Sequence, residues 1–306
     1  MIAGEAILAW LDAGVREATL FAAVGFLCGG IDDLVVDMVY LWAIAIRRKR
    51  PATPTSNAAP RHFAIFVAAW DEAAVIGSML GTALARLVHD DYAIHVGTYP
   101  NDPGTIAAVG ALAAHDPRVR LVIGDVPGPT TKADCLNTIW AALRRAEGDG
   151  ATRAEAIVIH DAEDVVHPRE LQVFEALLDN HAVVQLPVLP LIDHRSRLVS
   201  GHYADEFAEA HAKGLIVREA LGVGMPLAGV GCAVSRAMID ELATRRGGTP
   251  FDAASLTEDY ELGLMIGRLG GRAALARERD PRDDSLIAVR AYFPTTIEAA
   301  VRQNPL

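Results

Sequence analysis

From residue 62 onward, short runs of apolar and β-branched residues alternate with stretches of helical periodicity, and no other feature restricts the fold so tightly. "HFAIFVAA" (62–69), "YAIHVGTY", "VRLVIG", "AIVIH" and "AVVQLPVL" read as strands. Between the first two, Ile76, Met79, Leu80, Ala83, Leu84 and Leu87 fall at helical spacing within 72–88. Further helices are expected at about 103–115, 132–146 and 168–179. Strands apolar on both faces, joined by helices, imply a mostly parallel α/β sheet with helices covering both sides. Ligands of such sheets bind outside the carboxyl ends of the strands. A chain of 306 residues, 51% hydrophobic, is long enough to bury one large domain of this kind.

The chain before this domain has another character. From Ala18 to Ile46 it is apolar except at Asp32, Asp33 and Asp37, and Arg47, Arg48, Lys49 and Arg50 follow at once. Each apolar piece flanking the acids is shorter than the ~20 residues of a spanning helix. One reading is a pair of buried amphipathic helices. The abrupt basic cluster favours another, a membrane anchor or re-entrant hairpin with its basic flank on the cytoplasmic side, and no cationic leader region marks a cleaved signal. Residues 1–50 are therefore expected to be a membrane-associated helical segment, "PATPTSNAAP" (51–60) a linker, and 61–306 the folded domain. Net charge is -11, and the Lys and Arg residues are scattered outside 47–50, which argues against a nucleic-acid groove. Cys28, Cys135 and Cys232 stand far apart without CxxC spacing and suggest neither a disulfide framework nor a zinc site.

The strand ends carry the chemistry. The first ends in Ala68, Ala69, Trp70, Asp71 and Glu72 with no glycine, unlike a dinucleotide fold's GxGxxG turn. The second ends in Asn101, Asp102 and Pro103, a good N-cap followed by proline at the first helical position. After the third, "GDVPGPTTKADCLN" (124–137) delivers Lys132 to a helix start; it lacks P-loop spacing, yet an anion between that lysine and the free N–H groups would be stabilised. The fourth runs into "IVIHDAEDVVHPREL" (157–171). If Pro168 opens the next helix, the cap position is His167, so capping does not account for Asp161, Glu163 and Asp164. In an extended backbone Asp161 and Glu163 share one side and Asp164 points away, toward a structural role. Two adjacent carboxylates repel unless a cation intervenes, and hard oxygen ligands suit Mg²⁺ or Mn²⁺. Farther on, Thr257, Glu258 and Asp259 open the helix "EDYELGLMIGRL", and "PLAGVGCA" (226–233), with Gly229, is either a bulged strand or a loop that lets backbone approach a ligand.

Taken in order, the strand ending at Glu72, "KADCLN", "HDAEDV", "MPLAGVG" and "SLTEDY" resemble glycosyltransferase family 2, inverting enzymes of the GT-A fold, in its membrane-bound, synthase-like branch. The resemblance covers about residue 60 to the C-terminus. It implies that Ala69 and Glu72 line the nucleotide-base pocket, with Asp102 near a uridine. Lys132, Gly229 and Gln303 would lie beside the donor, Asp161 and Glu163 would form the DxD-type pair holding Mg²⁺ or Mn²⁺, and Asp259, with Glu258 beside it, would act as base. The implied reaction moves sugar from a UDP-sugar to a saccharide or lipid-linked acceptor, in exopolysaccharide or cell-surface glycan synthesis. The implied place is the bacterial inner membrane, with the domain facing the cytoplasm. Two departures accompany this. The second strand's end lacks the family's paired aspartates, and Gln303 is followed by Pro305 and Leu306 rather than an Arg-Trp pair, so a truncated chain with impaired turnover is expected. The competing readings are a non-catalytic nucleotide-sugar-binding or regulatory module and, ranked last for want of a Gly-rich loop, a nucleotidyltransferase.

Overall fold

The computed structural model describes residues 2–47, 60–191, 201, 204–205, 208–255 and 257–292. The chain divides into two units, Met1–Arg50 and Pro51–Leu306.

The first unit is one helix, α1, Ile2–Arg47, of 46 residues. This corrects both the two-helix and the hairpin expectations. No proline occurs before Pro51, and the Gly29–Gly30 and Asp32–Asp33 pairs cost only about 0.5–1 kcal/mol per residue relative to alanine, too little to break a helix so rich in good formers. Its large apolar side chains face outward, with Trp10, Phe21 and Phe26 more than four-fifths exposed. The stretch Trp10–Ile46, which contains an 18-residue window of mean hydropathy 1.7, is long and apolar enough to cross a membrane. The expected linker, 51–60, lies outside the described residues but for Pro60.

In the second unit the elements follow as β1 Phe63–Ala68, α2 Ile76–Arg86, β2 Tyr92–Thr98, α3 Pro103–Ala113, β3 Val119–Ile123, α4 Lys132–Gly148, β4 Ala156–Asp161 and α5 Glu170–Leu178. Then come β5 Val183–Gln185, β6 Val188–Leu191, a π-helical turn Ala210–Gly214 running into α6 Leu215–Leu221, and β7 Cys232–Ser235. Last are α7 Arg236–Arg245, α8 Glu258–Arg268, β8 Ala273–Leu275 and β9 Val289–Tyr292. A seven-stranded sheet has the order β3-β2-β1-β4-β7-β5-β8. It is parallel except at β7, which runs antiparallel between β4 and β5. Every residue of β2 is buried, so both faces are covered, as the continuous apolar runs predict. Register aligns Ala68 of β1 with Gly97 of β2 and Asp161 of β4, which brings those carboxyl ends level. Gly97 is required there, because a Cβ would fall 2.5 Å from Cys135 Sγ of α4.

Three local expectations change. "AVVQLPVL" is not one strand: Pro187 has no N–H to give the ladder, so β5 ends at Gln185 and the chain resumes as β6, which pairs in parallel with β9 in a separate two-stranded sheet. Helix α5 begins at Glu170, not at Pro168, whose carbonyl accepts the Val88 N–H at 2.8 Å. Helix α2 begins at Ile76, since Glu72 lies in the preceding turn and its carbonyl accepts from Val75 and Ile76.

Candidate active site

Three loops after β1, β2 and β3 are tied together before any charged group is placed. Ala69 is 1% exposed, its N–H donating to the Gly97 carbonyl at 2.9 Å, so it belongs to the core and only its backbone can face a ligand. Asp71 turns the chain with a positive φ of 58°. Asp102 stabilises that turn: Oδ2 accepts the Asp71 N–H at 2.7 Å, while Oδ1 caps α3 by accepting from Thr105 at 3.2 Å. Burial alone would raise the Asp102 carboxyl, but these bonds outweigh it and hold the group below its ordinary range. The Glu72 N–H donates to Thr105 Oγ1 at 3.0 Å. Asn101 clasps Gly128 by two hydrogen bonds, of 2.8 and 2.7 Å, and Gly128 packs so closely on Trp70 and Tyr99 that a Cβ would lie 2.6 Å from the indole.

Beside this frame lies a charged cluster. Thr131 caps α4, accepting from the Asp134 N–H at 3.2 Å, and sets Lys132 at the first helical position. The Lys132 ammonium reaches across to β4, in direct contact with the Asp161 carboxylate, and donates to the Gly229 carbonyl at 3.0 Å. Burial opposes its charge, but Asp161, Glu258 and Asp259 together hold its pKa well above the ordinary value. Gly229 has φ of +73°, and a Cβ there would fall 2.6 Å from Asp259 Oδ2; the position needs glycine for both reasons. Asp259 sits in the first turn of α8, with Oδ1 accepting the Tyr260 N–H at 2.7 Å. Burial raises its pKa, against that hydrogen bond and Lys132, and burial likewise raises that of Glu258. Lys132, Asp161, Gly229 and Asp259, each singled out by the sequence, thus fall on one constellation.

Glu163 stands apart in state. Its side chain reaches solvent, yet surrounding protein, and then Asp161, Glu72 and Asp164, push its carboxyl up to about 7. Glu72 is raised by burial and by Asp161, Asp71 and Asp102. Among the described residues no three His, Cys, Asp or Glu side chains gather into a ready metal cage. What Asp161, Glu163 and Glu72 offer is a hard-oxygen donor set whose negative charge Lys132 answers only in part, suited to an ion that keeps positions for water and phosphate oxygens. Gln303 lies outside the described residues.

Sequence reading missed two supports. His160, wholly buried, bonds through Nδ1 to Asp164 Oδ2 at 2.8 Å and through Nε2 to Glu170 Oε1 at 2.9 Å. Burial would lower its pKa, but the two carboxylates raise it to about 10, so it is an imidazolium. Asp164 Oδ2 also accepts the Asp161 N–H at 3.1 Å, and Glu170 Oε2 that of His167 at 3.1 Å, so the network fixes the backbone of the acidic turn. The second support is Gly263 and Gly267 of α8, where added Cβ atoms would lie 2.0 Å from Met225 O and 2.5 Å from Gly224 Cα. Their spacing of four, one face of a helix, was the available signal.

A GT-A glycosyltransferase domain is what this sheet and its charged carboxyl edge define. The chain belongs to the glycosyltransferase-like family 2, whose model matches residues 60–305. It is 37% identical over 319 residues to bacteriophage adsorption protein B of Escherichia coli (strain K12), and equally to bacteriophage N4 adsorption protein B of Escherichia coli O157:H7. These alignments cover 96% of the chain but 43% of each relative, so it spans less than half their length. Among solved structures the mannosyltransferase PcManGT from Pyrobaculum calidifontis, in complex with GDP-Man and Mn²⁺, superposes with a TM-score of 0.60 at 18% identity. That match covers 88% of this chain and 68% of that one, and shows the shared fold.

Proposed function

We propose that this domain transfers a sugar from a nucleotide diphosphate donor, a UDP-sugar, to a saccharide or lipid-linked acceptor with inversion at the anomeric carbon. The observation that carries the reading is the convergence of Lys132, Asp161, Gly229 and Asp259 on the level carboxyl edge of β1, β2 and β4. Asp161 and Glu163 are the residues to hold Mg²⁺ or Mn²⁺, which when bound neutralises charge on the departing diphosphate. Lys132 supports the same charge from the protein side. Asp259 takes the acceptor hydroxyl proton on a carboxylate oxygen as that hydroxyl oxygen bonds the anomeric carbon and the bond to diphosphate breaks. Its raised pKa makes it a stronger proton acceptor than a free aspartate. Gly229 leaves the space beside Asp259 free of a side chain. Glu72 and the Ala69 backbone border the proposed base pocket, and Asp102 acts there by holding the Asp71–Glu72 turn.

The placement that goes with this reading is the cytoplasmic face of a bacterial inner membrane, anchored by α1, in the synthesis of a surface glycan. The test is UDP binding and UDP release by the full chain in detergent. Binding should require Mn²⁺ or Mg²⁺ and disappear in Glu163→Ala; unchanged binding in that variant would falsify the metal assignment. Asp259→Asn should keep UDP binding and lose UDP release by about 100-fold or more. Metal-dependent binding without release from the unaltered chain would replace this reading by that of a nucleotide-sugar-binding module.

A further inference from the structure

Away from the proposed donor site, α4 and α7 enclose a groove of about 750 Å³ whose walls include Asn137, Trp140, Arg144, Arg145, Arg153 and Asp240. It lies near the amino ends of the strands: the Arg236 N–H at the start of α7 donates to the Glu155 carbonyl, just ahead of β4. Arg144 follows Lys132 by twelve residues on the same helix, about 18 Å along its axis.

The groove's charges do not balance. Glu147 holds Arg236 with both oxygens, at 2.6 and 2.7 Å, and Arg144 at 3.4 Å. Asp240 holds Arg236 at 2.9 Å and Arg153 at 2.8 Å. Both carboxylates are thus shared, and Arg145 has no ion pair among the described residues. Arg236 and Glu147 are buried against each other behind the groove, so its lining carries three guanidinium groups, Arg144, Arg145 and Arg153, against one carboxylate, Asp240, a local excess of positive charge in a chain whose net charge is -11. The walls are held in place. Asn137 is bonded in both directions to the Phe251 backbone at 2.9 and 3.1 Å, and the Trp140 indole donates to the Gly248 carbonyl at 3.2 Å. Arg144 and Arg236 lie over the Trp140 ring at 5.7 and 4.9 Å, and that ring is 4% exposed. No aromatic face is left for stacking a base, so recognition here falls to the forked guanidinium donors, which match phosphate oxygens.

We propose that this groove is a second anion site, separate from the donor site, and that it takes a phosphate monoester or diphosphate group. The group comes either from a soluble compound or from an anionic lipid headgroup. The measurement is calorimetric titration of the full chain in detergent with pyrophosphate, with chelator present to silence any metal-dependent donor site. Binding is expected in the unaltered chain and in Lys132→Ala, and to weaken about tenfold or more when Arg144, Arg145 and Arg153 are all changed to Gln. Arg145→Glu breaks no observed ion pair and should weaken binding alone, which guards against misfolding of the triple variant. Absence of binding to the unaltered chain, equal binding by the triple variant, or loss of binding in Lys132→Ala would each overturn the site. A vesicle arm identifies the source, comparing phosphatidylcholine with vesicles about one-third phosphatidylglycerol. A preference for anionic vesicles that vanishes in the triple variant assigns a lipid headgroup, whereas pyrophosphate binding without that preference assigns a soluble phosphate.

Discussion

Two sets of charges gather about the turn after β4 and meet opposite fates. Asp164 and Glu170 grip His160 in the interior, and apart from Asp164 Oδ1 each of their polar atoms has a partner. Asp161, Glu163 and Glu72 lie toward the open edge, where Lys132 is the single cation in direct contact with any of them among the described residues. The difference teaches a rule for reading acidic stretches. Inside, a charge survives only when it is answered at once, because low dielectric makes an unpaired one costly. At an edge, charge can be left uncompensated, and is then available to a ligand.

The largest expected effect would break the interior set. His160→Leu leaves Asp164 and Glu170 buried without their cation, and a loss of about 3–5 kcal/mol in urea unfolding is expected. A His160→Leu, Glu170→Leu double variant should recover part of that loss, and no recovery would mean packing rather than charge is at stake. Next is Gly229→Ala, where positive φ and the Asp259 contact together should cost about 1–3 kcal/mol and lower UDP release. An unchanged melting temperature would show that the loop shifts freely.

The two sets should also separate by pH. His160 has its pKa raised from 6.5 to about 10, so the folded state holds its proton more tightly than the unfolded chain. Its contribution is fully present below pH 6.5 and is lost as pH climbs through about 10. Glu163 is raised from 4.5 to about 7, so metal-free stability should decline as pH rises through that interval, where the folded state binds the extra proton. Because Glu163 reaches solvent, screening keeps this term below about 1 kcal/mol. Glu163→Gln should flatten the slope between pH 4.5 and 7 and leave the one above 7 intact. The smallest effect belongs to the exposed Arg245–Glu241 pair of α7, whose removal should change stability by less than about 0.5 kcal/mol.

How far the sequence revealed this depends on the range of the interaction concerned. Strands β1, β2 and β4 were legible because each is a continuous apolar run, a local property. The division at Pro187 was not, since the partner of β6 is β9, a hundred residues later. Helix starts were displaced where turns intervened, at Glu72–Ile76 and at Pro168–Glu170. Lys132, Asp161 and Asp259 stood out as residue types at strand and helix ends, but the contacts joining Lys132 to Asp161 and Gly229 span 29 and 97 residues and arise from the sheet's register. His160 reads in sequence as a strand residue, although its spacing of four from Asp164 hints at a pair. A histidine in an apolar run has no local mark of its charge; only Glu170, brought back by the turn into α5, supplies the second carboxylate.

Lys132 carries one last implication. Its ammonium already holds a carboxylate and a carbonyl with two of its three donors, so under the proposed function an anion entering beside it would compete with Asp161 for that charge. To the extent that such an anion drew Lys132 away from Asp161, that carboxylate would be freer for a cation, and by linkage each newcomer would strengthen the hold of the other. A site of this kind would favour the arrival of anion and cation together over that of either alone.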